Sequence, residues 1–132
     1  MEISMSNKPQ QFTVSHLRDE DFKKDGLRPY ALYRDLGFAQ ATNGLAQAHV
    51  IKFLPPHTPE AAKLHFHTVQ FQMIYVLKGW VLNQFEGQGE ILMEPGSSWI
   101  QPPGMAHAVL NYSDDVELLE VILPAEFGTV NL

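Results

Sequence analysis

His65-Phe66-His67, Gln72 and His107 are the side chains in this sequence whose types and spacing suit metal chemistry. Imidazole is the commonest protein ligand for first-row metals. Side chains on a strand alternate faces, so His65 and His67 project to one side with Phe66 opposite, and the pair can share one ion without backbone distortion. Gln72 lies an odd number of positions after His67. To point at the same ion it needs a turn or bulge within 68–71 that resets parity. His107 must come from a later strand folded back over the first pair, with Pro102-Pro103-Gly104 supplying the corner. Three neutral imidazoles and an amide oxygen leave the charge of an ion uncompensated, which raises its Lewis acidity and favours an anionic or enolate-like substrate. Such a set suits Fe, Mn, Ni, Cu or Zn about equally, so the expected cofactor is a divalent transition metal of open identity.

The elements that must position these residues are short and β-like. Strands are expected over 30–34, 45–54, 64–67, 72–78, 80–85, 90–93, 97–100, 106–111 and 116–123, separated by turns such as Asn43-Gly44, Gly79, 86–89 and Pro95-Gly96. In the second run Gln47, His49, Ile51 and Phe53 alternate with Ala48, Val50 and Lys52. His49 reads there as a partly buried strand residue more than as a site residue. Ile74 and Val76 share the parity of Gln72 and should line the interior, while Met73, Tyr75 and Leu77 face a second layer or a subunit interface. Many short strands at regular spacing point to a β-sandwich or barrel, an all-β fold in one domain over 30–132. Residues 1–29 are polar and aperiodic and read as a short irregular N-terminal arm, with room for one helical turn capped by Ser15 and stopped by Gly26.

Two longer patterns resemble the cupin motifs. The first cupin motif is His, any residue, His, four residues, Glu, six residues, Gly; this chain has His65, His67, Gln72 and Gly79 at those positions. The second is Gly, five residues, Pro, any residue, Gly, two residues, His, three residues, Asn; Gly96, Pro102, Gly104, His107 and Asn111 match it throughout. Gln72 in place of Glu is the only departure. The resemblance implies a cupin jelly-roll β-barrel with His65, His67, Gln72 and His107 as metal ligands at one mouth, often in a homodimer. It does not imply one activity, because cupins include dioxygenases, isomerases, lyases, storage proteins and sensing modules. Gly79, Gly96, Pro102, Gly104 and Asn111 read as structural, Asn111 by bonding neighbouring backbone.

Composition narrows the partners. The formal charge is −6 and the few basic residues form no stripe, which argues against nucleic acid. There is no cysteine for a thiolate site, no apolar run long enough to span a membrane, and no secretory pattern at the start, so a cytoplasmic location and a small-molecule substrate are expected. The first functional reading is a dioxygenase-type oxidoreductase whose substrate binds through an oxygen at the metal. The alternatives are a non-redox isomerase or ring-opening enzyme of sugar acids, and a non-catalytic metal- or metabolite-binding module. No acid–base residue can be placed: Glu90, Glu94, Glu117 and Glu120 are present without an assignable position, and the cavity is expected to be apolar.

Overall fold

Apolar residues alternating with polar ones, punctuated by glycine and proline, fold into two antiparallel sheets that face each other. The computed structural model describes residues 9–24, 30–57 and 63–131. Its strands are β1 (Ala31–Asp35), β2 (Gln47–Phe53), β3 (His65–His67), β4 (Phe71–Lys78), β5 (Val81–Phe85), β6 (Gly89–Met93), β7 (Ser98–Ile100), β8 (His107–Tyr112), β9 (Glu117–Leu123) and β10 (Thr129–Asn131). One sheet has the order β1-β2-β9-β4-β7 and the other β10-β3-β8-β5-β6, so strands distant in sequence lie side by side, as in a jelly-roll. The expected strands all form, with ends that differ by a few residues, and β10 joins them as an edge that sequence periodicity did not mark.

Between β1 and β2 the chain makes a four-residue helix, α1 (Phe38–Ala41), where only a turn was expected. Its entry is set locally: Gly37 takes φ 84° and its N–H donates to Asp35 Oδ1 at 2.7 Å. The helical turn expected between Ser15 and Gly26 shrinks to a 3-10 turn over Asp19–Asp21. Ser15 does not cap it; its Oγ accepts from Arg34 Nη2 at 3.1 Å, and Gly26 lies outside the described residues. Before the turn, Gln11 N–H donates to Ala41 O of α1; after it, Lys23 bridges to Tyr33 of β1.

The inward positions of both sheets meet in one core that includes Ile74, Val76, Val81, Phe85, Val109, Val116 and Leu118. Val76, Val81 and Val116 are at most 1% exposed, which leaves that end of the barrel closed. The opposite end is where β3 and β8 bring their histidines. Gln72 reaches the same space by a different route from the one expected. The chain leaves β3 after His67, crosses over 68–70, and enters β4 in the other sheet, so parity is reset by a change of sheet. Met73, Tyr75 and Leu77 face outward, away from the facing sheet, with Tyr75 and Leu77 exposed.

Candidate metal centre

Three histidine rings stand together because β3 pairs with β8 in the register His65↔His107, and His67 sits two residues further along the same face. Ring centroids are 4.2 Å apart for His65 and His107, 5.0 Å for His65 and His67, and 5.1 Å for His67 and His107. One nitrogen from each ring lies within 4.8 Å of the other two, and all three residues are buried. Their other nitrogens are held from behind. His65 Nδ1 bonds Lys63 O at 3.0 Å and His107 Nδ1 bonds Met105 O at 3.1 Å. A carbonyl only accepts, so in both rings the proton sits on Nδ1 and the lone pair on Nε2, the arrangement a metal needs. His67 Nδ1 is held by Thr129 Oγ1 on β10 at 2.9 Å.

Gln72 lines the same cavity from the facing sheet. Its Nε2 donates to Glu120 Oε2 at 2.8 Å, and its Oε1 is buried with no hydrogen-bond partner among the described residues. A buried acceptor left without a partner costs about 1–3 kcal/mol. A divalent cation would satisfy it, so the donor set fits a metal: three imidazoles and one amide oxygen, all in one cavity wall.

Behind Gln72 lies a residue whose role the sequence did not reveal. Glu120 sits on β9 opposite His49 on β2 and diagonal to Gln72 on β4, so the three side chains cross three neighbouring strands on the inner face. His49 Nε2 bonds Glu120 Oε1 at 2.6 Å. Burial alone would push the Glu120 carboxyl up. The hydrogen bond and charge of His49, the bond from Gln72 and the charge of His67 outweigh it and hold the group below the ordinary carboxylate range. One expectation is thereby corrected: a carboxylate stands one hydrogen bond behind Gln72, so the charge of an ion held here would not be left uncompensated. His49 is the partly buried strand residue that was expected, and it also lines the cavity. The sequence carried one signal of Glu120: Val116, Leu118, Glu120 and Ile122 share parity, which puts a carboxylate on an otherwise apolar face.

The cavity beside these groups has a volume of about 980 Å³. It was expected to be apolar, and it is not. Ile51, Phe53, Ile74, Val109 and Leu118 form part of the wall, but Gln47, His49, Asn83, Gln101 and Glu120 share it, with Asp21, Lys23, Asp35 and Glu126 also lining it. Several of these inward-facing polar residues are hydrogen-bonded, Gln47 Oε1 by the Ala39 and Ala48 N–H groups. Trp99 Nε1 donates to Gln101 Oε1 at 2.9 Å, which turns Gln101 Nε2 toward His107 Nε2 at 3.3 Å. Trp99 thus orients a polar group as well as packing on Phe85. Asn83 Oδ1 is buried with no partner among the described residues. Of the other glutamates, Glu117 lies 3.8 Å from Lys78, and Glu90 and Glu94 are exposed.

Comparison with known proteins gives the fold a family context. The profile of the Cupin domain family matches residues 52–122. None of the curated proteins matches the sequence. Among solved structures the chain is similar to KdgF from Halomonas sp., at 18% identity and a TM-score of 0.65 over 85% of this chain and 96% of that one. It is also similar to the polyketide cyclase RemF from Streptomyces resistomycificus, at 21% identity and a TM-score of 0.69 over 90% of this chain and 85% of that one. With salicylate 1,2-dioxygenase from Pseudoaminobacter salicylatoxidans the TM-score is 0.63 at 9% identity, and the match covers 80% of this chain but 30% of that enzyme.

Proposed function

Because the chain belongs to the Cupin domain family, we propose that it is a metal-dependent enzyme in which His65, His67, His107 and Gln72 hold one divalent transition metal. The observation that carries the proposal is the Oε1 of Gln72, buried and without a hydrogen-bond partner among the described residues, on a side chain that lines the same cavity as the three histidines. When bound, such an ion supplies Lewis acidity toward a carbonyl or carboxylate oxygen of a small organic molecule.

The residues around the centre favour proton transfer over oxygen chemistry. Glu120 accepts the Nε2–H of His49, which fixes the tautomer and leaves Nδ1 to take up and return a proton. Removal and return of a proton by such a pair is the central step of an isomerase, a ring-opening enzyme or a cyclase. Asn83 Oδ1 is an acceptor for a substrate hydroxyl, and Gln101, oriented by Trp99, presents a donor beside His107. Apolar residues such as Phe53, Ile74 and Leu118 exclude water around the carbon skeleton. The carboxylate of Glu120 balances part of the charge of the ion, so the substrate need not be an anion. An oxygen-rich small molecule fits the wall best.

Metal analysis comes first: purified protein should carry about one divalent ion per chain, as a single mononuclear centre implies. The double variant His65→Ala, His107→Ala should carry none, and retained metal there would overturn the site. Hydroxyketones and unsaturated uronates should then turn over without O₂ in deuterated water, with label entering the product. His49→Gln should keep the metal and lose both turnover and label. A strict requirement for O₂ would overturn the proton-transfer reading in favour of the dioxygenase.

A further inference from the structure

Gln72 stands where the cupin motif has a carboxylate, and a largely enclosed carboxylate on the neighbouring strand is hydrogen-bonded to it. We propose that Glu120 is the positioning residue of the metal centre: it carries the negative charge that Gln72 lacks and dictates which end of the Gln72 amide faces the ion. The inference rests on the metal-binding function proposed above.

An amide has one donor end and one acceptor end, and only the oxygen can ligate a cation. Rotation by half a turn would present NH₂ to the histidines and remove Gln72 from the donor set. Glu120 decides between the two states. Its Oε2 accepts from the Gln72 NH₂ at 2.8 Å, which turns the amide oxygen the other way. That oxygen is the one found buried without a partner among the described residues. Glu120 is itself held by His49, 2.6 Å from its Oε1, and both groups are only 14% exposed, so the carboxylate is not an adjustable surface group. The register makes the relay possible. Glu120 is opposite His49 on one side and opposite Ile74 on the other, which puts it diagonal to Gln72.

The chemical consequence concerns the kind of centre produced. A carboxylate in direct contact would cancel one unit of charge at the ion. A carboxylate acting through an amide balances the charge of the whole site while the atoms touching the ion stay neutral, which keeps the Lewis acidity higher.

Exchanging the two groups tests this. In Glu120→Gln the new amide oxygen receives the His49 N–H, so its NH₂ meets Gln72 and turns that side chain round. Affinity for Zn(II), measured by calorimetry on the full chain, should fall about 10–100-fold. The double variant Gln72→Glu, Glu120→Gln restores the contact between the two positions with its polarity reversed, keeps the one to His49, and should recover most of the lost affinity. A residue that merely packed would not be rescued in this way. Thermal melting of each metal-free variant establishes that it is folded. Wild-type affinity in Glu120→Gln, or a folded double variant that recovers nothing, would overturn the role of Glu120 while leaving the metal centre intact. If Glu120→Gln does not fold, the double variant alone decides. Failure of the wild-type chain to bind Zn(II) would instead overturn the metal-binding function.

Discussion

His67 is the ligand whose support is easiest to remove without touching the centre. His65 and His107 are held by backbone carbonyls, which no substitution deletes, whereas His67 depends on the hydroxyl of Thr129. Thr129→Val keeps the shape and removes the hydrogen bond. The ring then loses its fixed orientation, and affinity for Zn(II) should drop about 10-fold, at the lower end for residues that support a ligand. The unfolding midpoint of the metal-free protein should barely move, since Thr129 is a half-buried residue on an edge strand. Calorimetry and a melting curve separate the two effects, and unchanged affinity would show that packing alone holds the ring. At this scale the three histidines and Gln72 were legible as types at a spacing. Glu120 was not, because its importance comes from a diagonal across β9 and β4 that no local pattern encodes.

At the scale of the elements, what was legible follows from local chemistry. Inward Gln47, His49, Ile51 and Phe53 on β2 obeyed simple alternation, and Asn111 does bond the neighbouring backbone, accepting from Tyr112 N–H at 2.9 Å. The route from β3 to β4 was not legible. The parity of Gln72 signals that something happens between 68 and 71, but a bulge and a change of sheet leave the same trace in sequence. The turn at Gly79 belongs to the legible class and can be tested. It takes φ 69°, and an added Cβ would collide with Ser113 Oγ and lie 2.8 Å from the Val116 Cα. Val116 is backbone in the closed end of the core and cannot move cheaply. Gly79→Ala should therefore cost about 1–3 kcal/mol from steric crowding, with more from the left-handed backbone. Denaturant unfolding measures it, and a loss below the resolution of the method would mean that the β4–β5 turn relaxes freely.

At the scale of the whole molecule, the outer face of β4 and its neighbours is the feature that one chain leaves incomplete. Phe71, Tyr75 and Leu77 on β4 and Ile100 on β7 are all exposed, and Leu119 and Val121 lie beside them on the middle strand, β9. No described segment covers this face, although the N-terminal segment crosses the far side of the same sheet at Arg34. An exposed apolar stretch of this kind marks an interaction surface. The partner we expect is a second copy of the chain. A two-fold interface sets a patch against itself, so the patch must be free of charges that would repel their own copies. Here Lys78 and Glu117, at one end of β4 and β9, lie 3.8 Å apart and offset each other, while the chain as a whole carries −6. Two copies repel over most of their surfaces and can meet here. The chain should therefore run as a homodimer in sedimentation at micromolar concentration. Tyr75→Asp with Leu77→Lys should give a folded monomer that still binds metal, since both side chains point away from the cavity. A wild-type chain that sediments as a monomer, or a double variant that stays dimeric, would place the interface elsewhere.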